Sequence, residues 1–91
     1  EALARHEILI NLSELLDISR YLLKPGGKLS LIYPAERSAE LVFNMCKRRI
    51  EPKRLCFVHP DHARQARLVL IEGVKDAGSE TRIEPPVFMN Q

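Results

Sequence analysis

Tryptophan is absent from the 91 residues, and glycine, cysteine and charge of either excess sign are scarce: four glycines, two cysteines and a net charge of +2. Each shortage narrows the reading. All four glycines lie at or after Gly26, so nothing upstream of it supplies a glycine-rich cofactor loop. A charge this mild does not imply nucleic acid, and any basic surface has to be argued from local clustering. Two cysteines allow one disulfide, but there is no signal peptide, scaffold spacing or long apolar run. The expected setting is a reducing cytoplasm with no membrane association, and both cysteines read as core residues. The length fits one small domain at most, of marginal stability, which a partner or a further half would help.

What is present is most informative at Leu22-Leu23-Lys24-Pro25-Gly26-Gly27-Lys28-Leu29-Ser30-Leu31-Ile32-Tyr33-Pro34, where a helix end, a two-glycine turn and a strand stopped by proline follow one another. That is one seam of an α/β enzyme. Upstream, Asn11-Leu12-Ser13-Glu14 is a capping box, so a helix should begin at Leu12. Leu12, Leu15, Leu16, Ser19, Leu22 and Leu23 recur at helical spacing, and Pro25 and the glycines end the run. Residues 28–33 are too short for a buried helix and suit a strand covered on both faces.

Ala39, Leu41, Val42, Met45, Cys46 and Arg49 describe a second amphipathic helix, ending in Lys47-Arg48-Arg49, cations that complement the helix dipole. Glu51-Pro52 breaks the pattern, and residues 53–59 carry Leu55-Cys56-Phe57-Val58 as a second buried strand, stopped at Pro60. A third strand spans 67–74. The polar segment 61–65 is too short for a crossover helix, so the last two strands should be antiparallel. Residues 76–91 read as a polar, proline-marked C-terminal tail, with Asp76-Ala77-Gly78-Ser79 as a turn. The order is helix, strand, helix, strand, strand, with a right-handed crossover making the first two strands parallel.

This order, with Leu22-Leu23-Lys24-Pro25-Gly26-Gly27 before a strand and an antiparallel return at the end, resembles the C-terminal portion of the class I, Rossmann-like S-adenosylmethionine-dependent methyltransferases. Ala4-Arg5-His6-Glu7, Tyr33-Pro34-Ala35-Glu36-Arg37, Glu51-Pro52-Lys53-Arg54, Phe57-Val58-His59-Pro60 and Leu70-Ile71-Glu72-Gly73 are together similar to the bacterial adenine-N6 tRNA methyltransferases that modify a valine tRNA. The resemblance implies S-adenosylmethionine as cofactor and tRNA as partner. It also implies that residues 1–91 are a single partial domain, the C-terminal half of a methyltransferase. In that family a glycine-rich loop after the first strand holds the cofactor, and an Asn-Pro-Pro-Tyr motif after the fourth grips the target amine. Neither motif is in this sequence. No catalytic, cofactor-binding or metal residue is therefore assigned, and the chain alone is expected to be inactive, to need the missing N-terminal half, and to self-associate.

In open α/β sheets ligands bind beyond the carboxyl ends of the parallel strands. Tyr33-Pro34 and His59-Pro60 mark that rim, and Arg5, His6, Arg37, His59, His62, Arg64 and Arg67 fall on or near it as a phosphate path for tRNA. The plainer reading is ordinary solvated loop charge. Lys47, Arg48, Arg49, Lys53 and Arg54 fall at the opposite sheet edge, where helix termination explains them. Cys56 and His59 have a spacing that suggests zinc, but three residues apart on a strand they project to opposite faces. Tyr33 could stack on a base, although packing is the commoner role at a strand end. A non-catalytic basic module that binds RNA or protein is the alternative function.

Overall fold

The computed structural model describes residues 11–90; Arg5 and His6 lie outside them. The first helix, α1 (Leu12–Leu22), starts where the capping box predicts. Asn11 Oδ1 accepts from the Glu14 N–H at 2.8 Å, and Glu14 Oε1 accepts from the Asn11 N–H at 3.3 Å, so two amides with no partner in the helix are satisfied. α1 buries Leu16 and Ser19. Ser19 is tolerated there because its hydroxyl donates to the Leu15 carbonyl at 2.8 Å. After the helix, Gly26 takes φ +85°, a backbone conformation that costs glycine little, and turns the chain into β1 (Lys28–Pro34).

A short 3-10 turn (Ala35–Arg37) leads into α2 (Ser38–Lys47), which buries Leu41 and Met45. β2 (Ile50–His59) and β3 (Leu68–Lys75) follow. β3 lies between β1 and β2 and is antiparallel to both, pairing Leu31 with Ile71 on one side and Leu55 with Ile71 on the other. β1 and β2 are thus parallel to each other in direction without touching, because the third strand is inserted between them.

Three expectations are corrected. The second strand does not wait for Lys53: β2 starts at Ile50 and runs straight through Glu51-Pro52, and the register shifts between Pro52 and Arg54. A bulge there is where a residue with no N–H to donate is accepted. β1 is not covered on both faces either, since its residues alternate, with Leu29, Leu31 and Tyr33 half-buried and Ser30 and Ile32 exposed. Finally, residues 76–91 are more than a polar tail. β4 (Arg82–Ile83) and β5 (Val87–Phe88) both pair in parallel with the outer edge of β2. Pro85 and Pro86 fall between them, and their lack of N–H donors explains why one edge strand becomes two short ones.

Both helices cover the same face of the sheet. Leu16, Leu41 and Met45 meet Leu55, Val69 and Ile71 in one buried cluster, with Ile50 at its lower end. On the opposite face Ile32 is 65 % and Leu70 40 % exposed, so that face is bare among the described residues. A clasp at the lower end joins three elements. The Lys75 backbone exchanges bonds with Gly26 and Gly27 at 2.9 Å each. Its Nζ donates to the carbonyls of Arg20 (2.8 Å) and Leu23 (2.7 Å), satisfying groups at the end of α1. Asp76, at φ +59°, accepts from Arg20 at 3.0 Å and lies 3.6 Å from Arg49.

Candidate nucleic-acid interface

The register puts Pro34 of β1 and Val58 of β2 on either side of Leu68 of β3, so the carboxyl ends of the two parallel-running strands form one rim. The β2–β3 loop, residues 60–67, hangs over it. Asp61 shapes this loop by accepting from the Ala63 N–H at 2.9 Å, an Asx-type turn. Two further backbone bonds, Arg67 N–H to the Val58 carbonyl (2.8 Å) and Ala35 N–H to the Arg67 carbonyl (2.9 Å), tie its far end to β2 and to the turn after β1. Between loop and turn lies a groove of about 430 Å³ lined by Pro34, Glu36, Pro60, Arg64 and Arg67, among others.

The predicted rim residues separate into three groups. Arg64 and Arg67 share the groove, both exposed. Arg64 is 3.5 Å from Asp61, whereas Arg67 makes no ion pair among the described residues. Arg37 is at the same end but committed elsewhere. It forms a two-pronged pair with Glu40 at 3.0 and 2.7 Å and lies 5.2 Å over the Tyr33 ring. The Glu40 hydrogen bond, with Tyr33 and Glu36 adding to it, raises its pKa further above the ordinary arginine value. Tyr33 is accordingly a packing residue, half-buried against the core.

His59 and His62 form the third group, gathered on a residue that sequence reasoning missed. Phe88 of β5 stands 5.2 Å from the His59 ring and 4.1 Å from the His62 ring, the latter pair nearly parallel at 24°. The signal was there to be found, since Pro85-Pro86 followed by Val87-Phe88-Met89 is an apolar triplet at the end of a polar stretch. The His59 Nδ1 is 2.8 Å from the Arg64 carbonyl; a carbonyl only accepts, so the proton is on that nitrogen.

Elsewhere the polar groups hold the fold. Arg48 donates to Asp17 at 2.7 Å and to the Asn44 carbonyl at 3.0 Å, pinning α1 to α2. Lys53 donates to the Gly78 carbonyl at 2.8 Å. The second basic cluster is therefore largely structural. Cys56 Sγ turns to the Pro85 carbonyl at 3.6 Å while His59 turns to Arg64, so the two do not converge. Neither cysteine is a core residue. Cys56 is half-buried on the bare sheet face and Cys46 is exposed. Local desolvation and the neighbouring Glu51 carboxylate, 3.9 Å away, push the Cys46 thiol up, which disfavours the reactive thiolate. The larger groove, about 780 Å³ over Ile32 and Leu70 on the bare face, holds one charged cluster in which Arg54 is matched by Glu84 at 3.2 Å and Glu72 at 3.7 Å.

An antiparallel strand inserted between two parallel-running ones, with two helices packed on one face of the sheet, makes a small mixed α/β arrangement. No family model matches the sequence, and no curated protein matches it. Among solved structures, a predicted O-methyltransferase, the protein Atu636 from Agrobacterium tumefaciens, superposes with a TM-score of 0.77 at 20 % identity. The match covers 86 % of this chain and 37 % of that one, so the chain spans little more than a third of its structural neighbour. The fold is methyltransferase-like.

Proposed function

We propose that this chain is the substrate-facing C-terminal part of an S-adenosylmethionine-dependent methyltransferase that modifies adenine N6 in tRNA. It works in the cytoplasm together with the preceding half of the same polypeptide. The observation that carries the reading is the groove at the carboxyl ends of β1 and β2. Arg67, which makes no ion pair among the described residues, stands there beside Arg64 and across from Glu36, where open α/β sheets receive their ligands. The methyltransferase-like fold supports it, as does the ordered set of motifs from Ala4 onward.

The residues described do not fit the cofactor. Gly26 and Gly27 turn into a strand and not out of one, Gly73 is packed inside β3, and Gly78 lies in the turn before β4. An exocyclic adenine amine is a weak nucleophile that must be held in line with the methyl donor and hydrogen-bonded as its nitrogen becomes pyramidal. This chain contributes by positioning, with cations that hold the tRNA backbone so that the base reaches the chemistry. The 91 residues alone transfer no methyl group.

The test uses the full-length protein, labelled S-adenosylmethionine and total tRNA, with nucleoside analysis of the product. Label is expected in N6-methyladenosine. The double variant Arg64→Ala, Arg67→Ala should bind tRNA more weakly, with a salt slope reduced by up to about two units, and keep its cofactor affinity. Label that enters small hydroxylated acceptors and never tRNA would replace this reading with O-methylation. Salt-dependent RNA binding with no transfer to any acceptor would replace it with the non-catalytic interaction module.

A further inference from the structure

β5 is only two residues long, yet it is fastened to the rim along its whole length. Val87 and Phe88 pair with Val58 and His59 of β2, the Met89 N–H donates to the His59 carbonyl, and the Asn90 N–H donates to the Pro60 carbonyl, each at 2.9 Å. Its effect is to hold the Phe88 ring beneath His62. The burial of the two rings differs in a telling way, since Phe88 is half-buried and His62 exposed. Phe88 is backing, and the outer face of the His62 ring is left to solvent. Packing accounts for Phe88, whereas His62 covers one side of that ring and stays exposed itself.

The neighbours of this pair identify what would use it. His59, at the end of β2, touches the same Phe88 ring and donates to the Arg64 carbonyl, and His62 shares the β2–β3 loop with Arg64 and Arg67, so the rings are tied to the loop that carries the arginine groove. A flat ring presented beside a cationic groove suits a single-stranded nucleic acid, whose base stacks on the ring while its phosphate meets the arginine. A duplex has no free base face to offer. We propose that His62, backed by Phe88, is a stacking platform for an unpaired RNA base at the mouth of the Arg64–Arg67 groove. The inference rests on the tRNA reading of the rim and adds the element that selects unpaired over paired RNA. Because every base has a π-face, the platform contributes affinity and strand register without choosing a sequence.

The experiment measures binding of the full-length protein to an unstructured RNA decamer and to an RNA duplex of the same length, across a range of salt. His62→Ala should weaken decamer binding roughly 5- to 150-fold, the loss of one stacked base, with an unchanged salt slope and unchanged duplex binding. His62→Phe should restore it. The exposed position means that the thermal midpoint of both variants should stay with the wild type, which separates a binding loss from a folding loss. Phe88→Leu, which keeps an apolar contact for His59 but removes the ring beneath His62, should weaken the decamer selectively as well. Unaltered decamer affinity in His62→Ala, or equal losses in His62→Ala and His62→Phe, overturns the platform while leaving the tRNA reading in place. A wild-type protein that binds neither RNA overturns both.

Discussion

Of the four glycines Gly73 is the most closely packed, and replacing it with alanine probes how the helix layer sits on the sheet. A Cβ built at Gly73 would run into Met45 Cε and come within 2.8 Å of Ile50 Cγ2, both belonging to fully buried side chains. Methionine can swing its terminal methyl, but the branched Ile50 carbon has little freedom, so part of the clash persists after relaxation. Overpacking of this kind costs about 1–3 kcal/mol. Against it stands a gain of about 0.4–1 kcal/mol from the smaller unfolded-state entropy of alanine. The net expectation for Gly73→Ala is a loss of about 1–2 kcal/mol. With an m-value of about 1–1.5 kcal/mol/M, that lowers the urea midpoint by about 1 M. The stronger test is a cycle with Met45→Ala. Alone, that variant leaves a cavity and costs about 2–5 kcal/mol; in the double variant the methyl introduced by Gly73→Ala occupies part of the vacated space. The double variant should therefore lose less than the two single losses combined, by about 0.5–3 kcal/mol. Additive losses, or a stabilised Gly73→Ala, would refute the packing argument.

Three other outcomes are expected. Lys75→Met keeps the stem but removes the ammonium that serves the Arg20 and Leu23 carbonyls, and urea unfolding should show a loss of about 1–2 kcal/mol. Asp76 is held below the usual carboxylate range, first by its hydrogen bond from Arg20 and then by the charges of Arg20, Arg49 and Lys75. Because the folded pKa lies below the unfolded one, its contribution is complete above the unfolded value of about 4 and is lost as pH falls through the folded value. Asp76→Asn, which tolerates the same positive φ, should be less stable than wild type at neutral pH and converge with it in acid, read as thermal midpoints against pH. Finally, β1 pairs only with β3 among the described residues, and Ile32 is exposed beside that open edge. Sedimentation equilibrium of the 91-residue chain should show a dimer or larger species that Ile32→Lys shifts toward monomer, and a strict monomer at all concentrations would count against it.

Local signals are readable wherever the physics is local. Asn11 and Glu14 announce α1 because a capping box is complete within four residues, and Gly26 marks the turn because few other residues accept its backbone angles. The sidedness of β1 is half legible: Lys28 and Ser30 alternate with Leu29, Leu31 and Tyr33, but an apolar Ile32 on the polar side makes the segment look covered on both faces. Pro52 misleads for a related reason: proline ends a strand by default, and only the bulge opposite Gly73 shows how this strand keeps it. The candidate rim is legible as residue types near strand ends. Which of them share a groove, which is taken up by Glu40, and which rest on Phe88 are not.

The sequence by itself determined where the helices and the three main strands lie, because caps, helical periodicity and turn residues act over a few positions. Only the tertiary structure decided that β3 inserts between β1 and β2, and that β4 and β5 extend the other edge of β2. Those are pairings across the sheet, set by which apolar faces meet under the two helices and by which backbone edges remain open. They bring His59, His62 and Phe88 together from separate strands and loops, a contact that spacing along the chain does not encode.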